Sequence, residues 1–178
     1  MNSSRKNSSY LKIIKENKDN FVRLLCFHYA GGGASVFNKW VEKIPAEFDI
    51  VAVQLPGREN RFNEEPHRNH KEAVLAIYED FKLLNDKPYV IFGHSMGALL
   101  AYEFTKLLIE KNKKLPEQLF LAGKSAPSIP RRMAPIHHLP EDLFLEEISR
   151  YGGIPKEILQ DSEIRSFFLP TLKADFEL

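Results

Sequence analysis

A serine flanked by two glycines constrains this chain more than any other feature of its sequence. The apolar run over residues 89–92 leads into Gly93-His94-Ser95-Met96-Gly97, and a pattern with helical spacing follows. The Gly-x-Ser-x-Gly spacing is typical of a sharp strand-to-helix turn, in which side chains at the glycine positions would collide with neighbouring backbone. Such short patterns also recur by chance, but the flanking strand and helix patterns favour the turn. The Ser95 hydroxyl would then project from the carboxyl edge of a sheet as a nucleophile.

Strand-like and helix-like patterns alternate through the first 125 residues. Continuous apolar runs predict buried strands, and apolar residues at helical spacing predict amphipathic helices. This alternation predicts an α/β fold with a mostly parallel sheet, helices on both faces and a site at the strand carboxyl ends. The strands are predicted over 22–29, 48–55, the run before Ser95 and 119–123, and the helices over 35–44, 71–84 and 96–113.

The pattern changes after Ser125, where prolines interrupt an irregular stretch before short amphipathic helices. Helices are predicted over 141–151, over 155–159, and from Asp161 or Ser162 to Phe176, with a kink at Pro170. Such pieces are typical of a lid over a site rather than of more sheet. We therefore expect a flexible tail over 1–20, an α/β core over 21–125 and a helical lid region over 126–178.

Charge and cysteine content limit the classes of partner. The 25 lysines and arginines nearly balance the 24 aspartates and glutamates, so no global field would recruit nucleic acid or a membrane. The single cysteine, Cys26, lies in an apolar run and is expected to be a buried, inert thiol. The start of the chain contains no signal-peptide or membrane-span pattern, which favours a cytoplasmic location. No metal-ligand spacing links the histidines, so neither a metal nor another cofactor is expected.

A nucleophile at Ser95 would need donors for the negative charge that forms on the attacked carbonyl oxygen. The residue after the nucleophile, Met96, supplies one backbone N–H, and the loop after an early strand supplies the other. The glycine-rich loop Ala30-Gly31-Gly32-Gly33 lies after such a strand, which favours the N–H of Ala30, with Gly31 the nearest competitor. A phosphate nest is the alternative use of this loop, but Lys and Ser/Thr do not follow in P-loop order.

The sequence offers no convincing base or acid for Ser95. Only His137 and His138 follow the serine, and they lie in a proline-rich connection. The later aspartates lie in amphipathic helical patterns where solvated or capping roles suffice: Asp142, Asp161 and Asp175. The earlier histidines occupy a buried strand, a charged loop and a position packed under the turn: His28, His67 with His70, and His94.

Four separated motifs point to one family. They are His28-Tyr29-Ala30-Gly31-Gly32, Gln54-Leu55-Pro56-Gly57-Arg58-Glu59, Gly93-His94-Ser95-Met96-Gly97-Ala98 and Leu169-Pro170-Thr171-Leu172-Lys173-Ala174-Asp175-Phe176. In this order and separation they resemble the type II thioesterases of nonribosomal peptide and polyketide synthesis, over residues 21–178.

The resemblance implies an α/β-hydrolase fold with a helical lid insertion and a Ser-Asp-His triad. It implies hydrolysis of acyl or aminoacyl thioesters from the 4'-phosphopantetheine arm of peptidyl or acyl carrier proteins, which clears misprimed synthases, and action on small acyl thioesters. Ser95 carries over as the nucleophile, and Ala30 and Met96 as the oxyanion donors. No cofactor is implied.

The family's aspartate and histidine lie beyond the lid, on loops after the last strands. This chain ends inside the predicted lid, short of the roughly 200 to 250 residues usual for such domains. We therefore expect that the C-terminal part is missing and that the 178 residues alone are nearly inactive, because loss of the histidine in a comparable serine enzyme costs about six orders of magnitude in turnover.

Two other functions fit parts of the sequence. A carboxylesterase or lipase shares the serine turn but prefers oxygen esters, and a non-catalytic carrier-protein binding fragment would explain the absent triad partners. Loop arginines could meet acidic carrier-protein helices or be plain solvated charges: Arg58, Arg61, Arg131 and Arg132. The lid phenylalanines are predicted to be packed rather than substrate-lining: Phe167, Phe168 and Phe176.

Overall fold

The computed structural model describes residues 10–82, 84, 86–129, 134–150 and 161–178. Within these ranges the strands and helices follow the predicted order, with one strand added before them. The strands are β1 (Leu11–Lys15), β2 (Val22–Phe27), β3 (Phe48–Val53), β4 (Tyr89–His94) and β5 (Gln118–Ala122). The helices are α1 (His70–Phe81), α2 (Met96–Glu110), α3 (Glu141–Ser149) and α4 (Ser162–Glu177), with 3-10 helices over Ala34–Glu42 and Glu59–Arg61.

The described strands form one sheet in the order β1-β3-β2-β4-β5. β2 runs parallel to β3 and to β4, and β4 runs parallel to β5. Only β1, within the described residues, is antiparallel to its neighbour β3. The predicted mostly parallel sheet is confirmed. Since all four parallel strands end at one edge, the loops after β2 and β4 lie side by side there.

Side chains of β2 alternate between two apolar cores on opposite faces of the sheet. Leu25 and Phe27 face the core that α1 and α2 cover. Leu24 and Cys26 face the other core, which the 3-10 helix Ala34–Glu42 covers. Both sets are buried, which explains the continuous apolar run in the sequence. Burial raises the pKa of the Cys26 thiol, in agreement with the predicted inert thiol.

The expected flexible tail over residues 1–20 is wrong for Leu11–Lys15, which form β1. Leu11 pairs with Val53 and is buried in the core beneath α1 and α2. The backbone of Tyr10 adds two anchors, because its N–H donates to Asp80 and its carbonyl accepts from the Gln54 N–H. Residues 1–9 lie outside the described ranges.

Other boundaries also differ from the sequence interpretation. The predicted helix over 35–44 is the 3-10 helix Ala34–Glu42, and the strands predicted over 22–29 and 48–55 each end two residues early, at Phe27 and Val53. The loops that begin at those points leave the sheet to form the site. The short helix predicted over 155–159 lies outside the described residues.

The predicted lid helices α3 and α4 pack on each other. Phe144, Leu145 and Ile148 of α3 form a small buried cluster with Leu172 of α4. Phe176 of α4 packs edge-on against Phe144, as expected for a packed lid residue. Asp161 caps α4 by accepting from the N–H groups of Glu163 and Ile164, which confirms one of the two predicted caps. No helix in the described ranges is both long and apolar enough to cross a membrane.

Candidate active site

Ser95 occupies a strained turn between β4 and α2. Its backbone has φ 54° and ψ −115°, a conformation that residues with side chains rarely adopt. The Ser95 N–H donates to the Ala122 carbonyl of β5 at 2.8 Å, and its own carbonyl accepts from Ala98 at 3.0 Å. The predicted sharp strand-to-helix turn is confirmed. Ser95 lies half-buried at the N-terminus of α2, where the helix dipole favours negative charge.

The two glycines of the turn are required by close backbone approach. A Cβ on Gly97 would lie 2.2 Å from the Phe27 carbonyl oxygen and 2.5 Å from that of His28. A Cβ on Gly93 would lie 2.3 Å from the carbonyl oxygen of Gly97. Because these obstacles are backbone atoms, they cannot rotate away. The glycines therefore bring the start of α2 against the end of β2, next to the glycine-rich loop.

The peptide between Tyr29 and Ala30 is held by its carbonyl group. The Tyr29 oxygen accepts from the Gly32 N–H at 3.0 Å and lies 2.8 Å from Nδ1 of His28. His28 is 1% exposed, and burial together with the charge of Arg58 lowers its pKa to about 4. The imidazole is therefore neutral near pH 7, with the Nδ1 proton donated to Tyr29.

The three candidate backbone donors beside Ser95 differ in whether they already donate a hydrogen bond. The Gly31 N–H donates to Oδ2 of Asp175 at 2.8 Å. Within the described part of the chain, the N–H groups of Ala30 and Met96 have no hydrogen-bond partner. Of the two candidate loop donors, the N–H of Gly31 is thus occupied and that of Ala30 is available.

Arg58 and Asp175 form a buried ion pair that sequence reasoning missed. The guanidinium donates to both carboxylate oxygens, at 2.8 and 2.7 Å, and also to the Gly32 carbonyl at 3.0 Å. Asp175 is 4% exposed, so the solvated or capping role expected for it is wrong. Its position on the helix face shared with Leu172 and Phe176 was the available signal, since a charge on an apolar face needs a partner.

The proposed surface role of two loop arginines is also wrong. Arg58 is buried as described, and Arg61 is buried with bonds to Glu64 and to the Gln54 carbonyl. Neither is free to meet a partner protein. Arg131 and Arg132 lie outside the described residues.

None of the histidines in the described residues hydrogen-bonds to Ser95. His94, expected to pack under the turn, is exposed and meets the ring of Tyr29 edge-on. His137 and His138 stack edge-on with each other, and Tyr10 engages His67. The described residues also contain no group of three His, Cys, Asp or Glu side chains that could hold a metal ion.

A cavity of about 550 Å³ lies between the glycine-rich loop and α4. Its wall includes Ala30, whose N–H is available, but not Ser95. Phe62, Phe167 and Phe168 form an aromatic wall of the cavity, in which the ring of Phe167 contacts both of the others. Phe167 and Phe168 are 56% and 39% exposed, so the prediction that they are packed is wrong, because they face this cavity.

Comparison with known proteins identifies the family of this site. A family model described as Thioesterase domain matches residues 22–178. The chain belongs to this thioesterase family. Together with the type II thioesterase structures that superpose on this chain, the family model confirms the resemblance to type II thioesterases and the α/β-hydrolase fold.

Named relatives come from several biosynthetic systems. The gramicidin S biosynthesis protein GrsT of Aneurinibacillus migulanus is 41% identical over 157 residues, covering 88% of this chain and 61% of GrsT. The medium-chain S-acyl fatty acid synthase thioesterase of Rattus norvegicus is 36% identical over 179 residues, covering 97% of this chain and 66% of that protein. The chain thus spans less than two thirds of the length of either relative.

Solved structures of related thioesterases superpose well on this chain. The RedJ thioesterase from the prodiginine pathway in Streptomyces coelicolor has a TM-score of 0.80 and 36% identity, covering 88% of this chain and 61% of RedJ. YbtT, a type II thioesterase from the yersiniabactin NRPS/PKS pathway, has a TM-score of 0.84 and 28% identity, covering 95% of this chain and 68% of YbtT.

Proposed function

We propose that the protein is a serine thioesterase that hydrolyses acyl or aminoacyl thioesters on the phosphopantetheine arms of carrier proteins, and so clears misprimed nonribosomal peptide or polyketide synthases. The observation that carries this proposal is the strained Ser95 turn at the N-terminus of α2, set beside the available N–H groups of Ala30 and Met96. The names of the relatives GrsT and YbtT support the substrate class.

In the proposed reaction the Ser95 Oγ attacks the thioester carbonyl carbon and passes its proton to a base. The carbonyl oxygen becomes negative, and the N–H groups of Ala30 and Met96 stabilise it. The C–S bond then breaks, the pantetheine sulfur leaves as the thiolate or thiol, and an acyl-serine remains. Because a thiol has a pKa near 8.5, the leaving sulfur needs little protonation, and the base is required mainly to activate Ser95 and then water.

The base and its orienting acid form part of the proposal. None of the histidines within the described residues bonds to Ser95. This chain covers only 61% of GrsT and 66% of the rat thioesterase, so both relatives are considerably longer. We therefore assign the histidine and aspartate of the triad to sequence beyond Leu178, and we expect the 178 residues alone to turn over very slowly. The proposal includes a cytoplasmic location, which suits the reduced thiol of Cys26.

The cavity beside Ala30 is the proposed site for the acyl group. Its volume of about 550 Å³ lies within the range typical of small-molecule sites, and its aromatic wall offers apolar surface to an acyl chain. Ala30 lies in the wall of the cavity. The carbonyl oxygen of an acyl group whose chain occupies the cavity would therefore lie near the Ala30 N–H.

Ser95→Ala in the full-length protein tests the proposal. We expect kcat for an acyl-pantetheine thioester to fall by about three to six orders of magnitude, because the nucleophile is lost while the oxyanion donors remain. Ser149→Ala is the matched control, since this exposed hydroxyl on α3 bonds only within its own helix. Undiminished hydrolysis by Ser95→Ala would contradict the assignment of the nucleophile.

Paired substrates separate the alternatives. A thioesterase should hydrolyse an acyl-pantetheine faster than the matched oxygen ester, whereas a carboxylesterase or lipase would prefer the ester. Tight binding of acylated carrier protein without release of acid by the full-length protein would instead identify a non-catalytic binding module.

A further inference from the structure

Asp175 connects the lid helix α4 directly to the loop beside Ser95. Its Oδ2 atom accepts from the Gly31 N–H and from the Arg58 guanidinium, each at 2.8 Å, and its Oδ1 accepts from Arg58 at 2.7 Å. Arg58 also donates to the Gly32 carbonyl at 3.0 Å. The ion pair therefore bonds two neighbouring residues of the glycine-rich loop, at the N–H of Gly31 and the carbonyl of Gly32, from the lid side.

The same loop is bonded from the core side through Tyr29. The Tyr29 carbonyl accepts from His28 and from the Gly32 N–H. In a trans peptide the N–H points away from the carbonyl of the same unit, so these bonds direct the Ala30 N–H to the opposite side. The Gly32 N–H donates to Tyr29, and the adjacent Gly31 N–H donates to Asp175. The hydrogen bonds from the core side and from the lid side therefore constrain the same short turn.

Gly31 has φ 77°, a left-handed conformation in which glycine has wide freedom. Without an acceptor its N–H would compete with that of Ala30 for the substrate oxygen, or the turn would change shape. A buried carboxylate is a strong acceptor, because hydrogen bonds to charged groups are stronger than neutral ones. Asp175 thus occupies one donor of the turn and leaves the other for the substrate.

We propose that Asp175, held by Arg58, is a positioning residue that completes the oxyanion site only when the lid helix α4 is docked. This inference rests on the proposed thioesterase function and adds regulation to the same site. Because the carboxylate belongs to the lid and the donors belong to the core, movement of α4 away from the core would withdraw the acceptor from Gly31. Acylation of Ser95 is then coupled to closure of the lid.

Asp175→Asn in the full-length protein tests the inference, with Glu177→Gln as the matched control. Both residues are carboxylates on α4 paired with an arginine of the core, but Glu177 pairs with the exposed Arg68, away from the glycine-rich loop. We expect Asp175→Asn to lower kcat and the rate of Ser95 labelling by a fluorophosphonate by about tenfold to a hundredfold, with KM for the thioester unchanged. Glu177→Gln should leave all three quantities unchanged.

A second variant guards against simple loss of folding, since a buried arginine without its partner destabilises a protein. Arg58→Met combined with Asp175→Met removes both charges, so no unpaired charge remains buried, and a thermal melt reports whether the variant folds. The folded double variant should show the same loss of kcat. Wild-type kcat in this folded variant, or an equal rise in KM for Asp175→Asn and Glu177→Gln, would overturn the inference.

The outcomes also separate this inference from the proposed function. If Ser95→Ala abolishes hydrolysis and Asp175→Asn does not slow it, only the positioning role of Asp175 fails. If Ser95→Ala leaves hydrolysis intact, the proposed function itself fails, whatever the Asp175 variants do.

Discussion

At the scale of single residues, His28 links the stability of the protein to pH. Its folded pKa of about 4 lies below the ordinary value of 6.5, because burial and the charge of Arg58 disfavour the imidazolium. Between these two values the unfolded chain binds a proton that the folded protein does not. The contribution of His28 to the free energy of unfolding is therefore fully present above about pH 6.5. It is lost as the pH falls toward 4, which lowers the free energy of unfolding by up to about 3 kcal/mol.

His28→Asn should remove this part of the pH dependence. The Asn amide can still donate to the Tyr29 carbonyl but does not titrate. We expect the free energy of unfolding to fall less between pH 7 and pH 4 than in the wild type, by about 3 kcal/mol, in urea titrations at several pH values. His138→Asn, at an exposed histidine, should follow the wild type, and a His28→Asn curve parallel to the wild type would contradict the prediction.

Residue-level prediction from the sequence succeeded where the constraint is local. The Ser95 turn could be predicted because its whole signature, a serine between Gly93 and Gly97, lies within five residues of sequence, although the Gly97 contact itself is with the distant backbone of Phe27 and His28. The Arg58–Asp175 pair could not, since its partners are 117 positions apart and a charged residue in a helix or loop is usually solvated. The difference between an occupied Gly31 N–H and an available Ala30 N–H depends on that same distant carboxylate.

At the scale of elements, the periodic patterns predicted the described parallel strands and helices, and β1 was missed. In its sequence, Leu-Lys-Ile-Ile-Lys, apolar and polar residues alternate only in part, and a polar stretch precedes it. The pattern therefore favours an extension of the polar tail over a strand. β1 forms a sheet edge only because β3 provides an antiparallel partner, which is a property of the assembled sheet. The 3-10 helix Ala34–Glu42 has the apolar spacing of an α-helix, which explains why its type was not distinguished.

Leu11→Ala tests whether β1 is part of the core. Leu11 is buried beneath α1 and α2, so its truncation should lower the free energy of unfolding by about 2 to 3 kcal/mol in urea titrations. Ile13→Ala is the matched control on the same strand, since Ile13 is exposed and its truncation should cost about 1 kcal/mol or less. Equal effects of the two substitutions would indicate that β1 contributes little to the core.

At the scale of the whole molecule, the cavity exists only because α4 faces the glycine-rich loop and Phe62. The core contributes the glycine-rich loop and Phe62, and α4 contributes Phe167 and Phe168. A sequence pattern describes the amphipathic face of one helix but not the surface opposite it, so these phenylalanines were predicted to be packed. In the folded molecule they leave apolar surface uncovered beside the available N–H of Ala30, where a bound acyl chain would cover it.

Phe167→Ala tests whether this cavity selects the acyl chain. A medium-length acyl chain would contact the aromatic wall, whereas an acetyl group would not reach it, so we expect KM for octanoyl-pantetheine to rise by about fivefold to thirtyfold, with little change for acetyl-pantetheine. Ile164→Ala is the control, because this exposed residue lies one turn earlier on α4 and does not line the cavity. A uniform change for both substrates, or an equal effect of Ile164→Ala, would mean that Phe167 acts through the lid as a whole and that the acyl chain binds elsewhere.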